Sequence, residues 1–152
     1  MKKFVFSLQA LFDYKQTVEK MQKAELKKAQ DALRELLKEE LRLLRAYADN
    51  EQSLERALRS NADVGTALSE HDAYFRFLRD ALKELRAKIV IAEEEVFKCQ
   101  ERLIVTMKEI KTYNKLRDEQ YLRYRKEIQA EEDKEIGDLV SFNVISEEFS
   151  PQ

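Results

Sequence analysis

Hydrophobic positions along this chain recur every three or four residues through two long segments, and a single short break separates them. In the second segment, from about residue 69 to 136, the stripe reads Leu78, Leu82, Leu85, Ile89, Ala92, Val96, Cys99, Leu103, Thr106, Ile110, Tyr113. The steps alternate four and three without a slip. That is a heptad seam, and a sustained period near 3.5 predicts a supercoiled helix. The first segment, from about residue 7 to 60, carries a rougher stripe: Leu8, Leu11, Val18, Ala29, Ala32, Leu36, Leu43, Tyr47, Leu54, Leu58. Lys15, Gln22 and Glu25 interrupt it. The fold class predicted is all-α, a long two-helix antiparallel coiled-coil hairpin.

The break, residues 61–68, contains Asn61 and Gly65, the strongest local breakers mid-chain. Ser69-Glu70-His71-Asp72 has the form of a capping box and predicts the start of the second helix. Gly137 predicts its end. The expected organisation is one domain: a lead-in over 1–6, helix over 7–60, a hinge loop over 61–68, helix over 69–136 and a mobile tail over 137–152. So short a connection favours antiparallel neighbours. Folding the chain about residue 65 or 66 sets Leu36 against Val96, Ala29 against Leu103 and Val18 against Tyr113 or Asn114. The coiled-coil core predicted is Leu36, Leu43, Leu78, Leu82, Leu85, Ile89, Val96, Cys99, Leu103 and Ile110.

Composition agrees with long helices. Of 152 residues 38% are charged, and there are only two Gly and one Pro, so helix formers dominate. The 28 basic and 30 acidic residues are interleaved, which gives no basic face for nucleic acid. No apolar run reaches the ~20 residues needed to cross a bilayer. The opening residues lack the long apolar core of a secretory signal.

Chemistry-bearing constellations are missing from the sequence. His71 is the only histidine and falls at the hinge. Cys99, the only cysteine, falls on the seam, where it reads as a small apolar residue and suits a reducing compartment. No phosphate loop or metal-ligand cluster is evident, and a rod offers no enclosed pocket. The expectation is a protein with no catalytic residues, no cofactor and no metal.

Two surfaces exceed what a plain coiled coil needs. Leu26, Leu33, Leu37, Leu41 and Leu44 lie beside the main stripe of the first helix, and Tyr74 and Phe77 lie off the seam of the second. Exposed apolar residues at helical spacing mark a binding face. At the opposite end, Phe4, Phe6, Phe12 and Tyr14 are expected near Tyr113, Tyr121 and Tyr124, interleaved with Lys111, Lys115, Arg117, Arg123, Arg125 and Lys126. Aromatic residues contribute large contact areas at interfaces.

The opening Phe4-Val5-Phe6-Ser7-Leu8-Gln9-Ala10-Leu11-Phe12-Asp13-Tyr14-Lys15 resembles the F-x-F-x-L-x-x-[VL]-[LF]-x-Y-[KR] start of the FliJ family. Gly65 leading to Tyr74, Phe75, Phe77 and Leu78 resembles that family's central segment, and Tyr113 to Glu127 its C-terminal one. The resemblance spans residues 4 to about 136. It implies a soluble, non-enzymatic component of the bacterial flagellar type III protein export apparatus, similar in fold to the central stalk of rotary ATPases. The implied partners are the flagellar export ATPase hexamer, the export gate protein FlhA and export chaperones. The implied location is cytoplasmic, peripheral to the inner face of the membrane. Carried onto this sequence, the ATPase interface is Phe4, Phe6, Leu8, Leu11, Phe12, Tyr121 and Tyr124. The gate or chaperone interface is Leu33, Leu37, Leu44, Tyr74 and Phe77. The competing reading is a structural coiled-coil scaffold, or a stalk protein of a virulence-type secretion system.

Overall fold

A computed structural model describes residues 2–60 and 63–148. Asn61 of the predicted hinge, and Phe149 and Pro151 of the predicted tail, lie outside the described residues. Two helices, α1 (Gln9–Arg59) and α2 (Val64–Glu148), pack against each other, and no strand occurs among the described residues. The all-α hairpin is as the periodicity predicts. The chain forms two compact units. A turn-bearing unit spans Glu19–Val105, and a terminal unit joins the described residues up to Val18 with those from Thr106 onward.

In the turn-bearing unit the α2 seam is the predicted one. Leu78, Leu82, Leu85, Ile89, Cys99 and Leu103 are buried, and Ala92 and Val96 are half-buried. With Leu43 of α1, the first four form the central apolar cluster, and Leu33, Leu36, Ala46, Tyr47 and Ala81 pack against it. The α1 seam departs from the predicted stripe. The line of residues removed from solvent that steps strictly by four and three is Gln22, Leu26, Ala29, Leu33, Leu36, Glu40, Leu43, Tyr47, Asn50, Leu54 and Ala57, with Glu19, Glu39 and Ala46 also half-buried. Ala32 and Leu58, assigned to the stripe by sequence, are exposed. The polar side chains at Gln22, Glu40 and Asn50 are seam residues, which an apolar-only pattern passes over.

The register also differs. Glu40 pairs with Arg86 (3.5 Å) and Glu25 with Arg102 (3.9 Å), and the rings of Tyr47 and Phe75 lie 4.7 Å apart. The predicted pairing sets Glu40 near residue 92 and Glu25 near residue 107, so Leu36–Val96 and Ala29–Leu103 are not the facing pairs. The shift is about one heptad, ~7 residues, which leaves both seams facing inward. Apolar pattern alone cannot separate such registers. A buried polar group can: Asn50 Nδ2 donates to the carbonyl oxygen of His71 (3.1 Å), fixing one alignment near the turn.

The turn sets the register because α2 begins earlier than predicted. Asp63 is its N-cap. Its carboxylate accepts from the Thr66 hydroxyl (2.7 Å) and from the backbone N–H groups of Thr66 and Gly65, and its carbonyl accepts from the Ala67 N–H (3.1 Å). These bonds satisfy donors that a helix start otherwise leaves open. Residues 64–68 of the predicted hinge and the predicted box at Ser69 are therefore inside α2. Donation by the Thr66 hydroxyl first, and by the backbone amides of Thr66 and Gly65 with it, holds the Asp63 carboxyl below the ordinary aspartate range. A depressed folded-state value stabilises above the unfolded one (~3.9) and is lost as pH falls through the folded one. Amide exchange at Thr66 is expected to be protected at neutral pH and to lose protection below about pH 4. Asp63→Ala should lose that protection at every pH, and Asp63→Asn should keep part of it in acid. Equal exchange in wild type and Asp63→Ala would refute the cap.

In the terminal unit, Lys15 pairs with Glu109 and Phe6, Phe12 and Ile110 are buried together. Val18 is half-buried. Lys15 sits opposite Glu109 and Ser7 opposite Gln120, so the Val18–Tyr113 pairing gives way to the same shift of about one heptad. α2 continues through Gly137 to Glu148, so the helix predicted to stop at 136 does not, and the tail residues 138–148 are helical. A single exposed glycine costs a helix only about 1 kcal/mol. The mostly strong helix formers of 131–135 carry the helix up to it, and the weaker formers that follow continue the helix to Glu148.

Candidate functional site

The chain carries two candidate protein-binding surfaces. The first is built in the terminal unit by a strap, residues 2–8, laid along α2. Ser7 and Gln120 exchange side-chain hydrogen bonds (3.0 Å and 3.3 Å), and the Ser7 N–H donates to Gln120 Oε1 (3.4 Å). Tyr124 Oη donates to the carbonyl oxygen of Lys2. The Phe4 ring lies 5.2 Å from Tyr121, edge to face, and 5.5 Å from Tyr124. Beneath the strap Phe6 meets Phe12 edge to face at 6.4 Å, and the Arg117 guanidinium sits 5.7 Å over the Phe12 ring.

The aromatic residues grouped by sequence are thus brought together, but they divide in role. Phe6 and Phe12, 4% and 5% exposed, are interior, with Leu8 packed against them. Phe4 and Tyr124 are half-buried, and Leu11, Tyr14 and Tyr121 are open to solvent. A shallow groove runs between strap and helix, lined by Phe4, Phe6, Gln9, Arg117, Asp118 and Tyr121. Lys111, Lys115, Arg123, Arg125 and Lys126 are exposed on α2 of the same unit. The result is an aromatic groove with Arg117 and Asp118 at its side and further basic residues exposed on the same helix, a mixed apolar and polar surface of the kind proteins bind through.

The second surface, in the turn-bearing unit, is not the single patch that the sequence suggests. Leu33 belongs to the seam and packs on the central cluster. Leu37, Leu41 and Leu44 are exposed on one flank of α1. Tyr74 and Phe77 stack on each other at 6.3 Å on the other flank, where Tyr74 faces Arg42 and Ala46 and Ala81 meet the core. Phe77, at 64% exposure, is the more prominent ring. The sequence reading missed a further ridge on α2, Val90, Phe97 and Ile104, all exposed. Its signal is a seven-residue spacing one position past the seam.

Among the described residues no group of side chains could hold a metal ion, and no helix is long and apolar enough to cross a membrane. His71 is engaged locally, with Nδ1 2.7 Å from the Ala67 carbonyl oxygen and Nε2 3.3 Å from Ser53 Oγ. Cys99 is buried with Sγ 3.6 Å from Glu95 Oε1. Burial, and then the neighbouring Glu95, push its thiol up, away from the thiolate a nucleophile requires.

A sequence model of the family described as flagellar FliJ protein matches residues 4–148. The comparison with curated proteins and the comparison with solved structures each gave no match.

Proposed function

Because the chain belongs to the FliJ family, and with it to the flagellar protein export apparatus, we propose that it acts as a stalk-like, non-enzymatic partner of the export ATPase ring. The observation that carries this reading is the strapped end of the terminal unit. Aromatic groups fixed on a folded frame, with Arg117 against them and further lysines and arginines exposed along the same helix, offer a preorganised surface to a protein partner. Tyr121 supplies its accessible contact beside the groove, Leu11 and Tyr14 add exposed apolar groups on the other flank of α1, and Phe6 and Phe12 hold the end in shape. The Leu37–Leu44 flank and the Tyr74–Phe77 pair would then serve separate contacts, to the FlhA gate and to export chaperones at the cytoplasmic membrane face.

ATP turnover by the cognate ATPase, titrated with this chain, tests the proposal. Turnover should rise with added chain. Leu11→Asp, on an exposed position, should keep the helical signal and raise the concentration for half-maximal stimulation about fivefold or more. A ring whose turnover and assembly ignore the wild-type chain would refute the stalk reading.

A further inference from the structure

The exposed flank of α1 in the turn-bearing unit has a second seam. From Lys20 to Glu55, residues stepping by threes and fours share one face, about a quarter turn round the helix from the buried seam. That face is ordered by charge. Lys20, Lys23 and Lys27 come first, Leu37, Leu41 and Leu44 lie in the middle, and Glu51 and Glu55 follow. The three leucines are all substantially exposed, though nothing in the buried seam requires them to be apolar.

A basic–apolar–acidic face is complementary to itself in one arrangement only. Turned end for end about Leu41, a second copy sets its own Leu44 on Leu37, and its Glu51 and Glu55 beside Gln30 and Lys27. A parallel copy sets lysine on lysine and glutamate on glutamate. We propose that this face is the contact between two copies of the chain, paired antiparallel about a two-fold axis at Leu41. The symmetry is that of the commonest protein dimers, in which one patch meets itself.

The ion pairs already on this face do not obstruct it. Lys23 pairs with Glu19 (2.8 Å), Arg34 with Asp31 (3.2 Å) and Glu55 with Arg59 (3.9 Å). All are exposed pairs within one helix, which are weak and exchangeable. On α2 the same flank carries Arg79, Lys83 and Arg86 and then the exposed ridge Val90, Phe97 and Ile104, so the charge order that defines the contact belongs to α1 alone. A small contact of this kind gives a dimer in the micromolar range. Because the dimer covers Leu37 and Leu44, it would compete with any other partner of that flank. It rests on the charge order of α1 and not on the family assignment.

The test is sedimentation of the full chain alone, over about 1–100 µM. Wild type should pass from its 18.0 kDa monomer mass to twice that value. Lys27→Glu and Glu55→Lys each set like charges across the axis at two places, and each alone should weaken the dimer about tenfold or more. Mixed in equal amounts, the two variants restore opposite charges at both places, and dimerisation should return to within about threefold of wild type. Leu41→Glu should be monomeric with an unchanged helical signal. A wild type that stays monomeric throughout overturns the proposal. So do charge variants that dimerise like wild type, or a mixture that fails to recover.

Discussion

Leu78→Ala is expected to destabilise the turn-bearing unit by about 3 kcal/mol, within the ~2–5 kcal/mol range for deleting a buried leucine. Leu78 is 1% exposed, the most enclosed large side chain among the described residues. The cluster it shares with Leu43, Leu82, Leu85 and Ile89 is held on helical backbone, which limits how far the surroundings can close on the space left behind. Lost transfer energy and residual cavity therefore add. Urea unfolding followed by helical circular dichroism measures the change. Leu41→Ala is the matched control, since that leucine is exposed and its removal should cost less than about 0.5 kcal/mol. Similar midpoints for the two variants would show that the cluster around Leu78 does not hold the hairpin together.

The second large effect is expected at Phe12→Ala, about 3–5 kcal/mol and confined to the terminal unit. Phe12 is where three things meet: the edge of Phe6, the Arg117 guanidinium and Ile110. Without it Phe6 loses its main apolar contact, and the strap bonds Ser7–Gln120 and Tyr124–Lys2 are left exposed to water, where each contributes little. The strap should release as a unit. Amide exchange is the readout: protection should fall at the Gln9 and Phe12 N–H groups, which donate to Phe6 and Leu8 carbonyls, while amides near Leu43 and Leu78 keep theirs. Phe4→Ala, at the half-buried rim, should have a smaller effect. If Phe12→Ala leaves the Gln9 amide protected, the strap is held by its own hydrogen bonds and not by the aromatic interior.

How much of this could be read from sequence depended on which residues occupy the seam. On α2, every seam position from Leu78 to Tyr113 is apolar or a small tolerated polar group, so periodicity located the core directly. On α1 the buried line passes through Lys15, Gln22, Glu40 and Asn50, while Leu37, Leu41 and Leu44 sit outside it. A reading that follows leucines drifts onto the wrong face there and puts Leu33 on the surface, where the fold packs it into the seam. Register was illegible for a different reason. Heptad seams look the same after a shift of seven, and the deciding facts, the Asp63 cap and the Asn50–His71 bond, are local and polar. The capping box read at Ser69 lies inside α2, and Asp63 caps the helix six residues earlier, where it satisfies the first amides. The aromatic cluster at the terminal end was legible as a grouping. Its division into interior Phe6 and Phe12 and accessible Leu11 and Tyr121 was not, because that depends on the strap lying back along α2.

The strap has a practical consequence for anyone working with this protein. The Lys2 carbonyl is held by Tyr124, so a purification handle or fluorophore fused just ahead of it emerges at the rim of the aromatic groove. A negative result obtained with such a fusion would report on the attachment and not on the native surface. Labels are better carried by exposed positions of the turn-bearing unit outside the two flanks, such as Glu94 on the face of α2 opposite its seam.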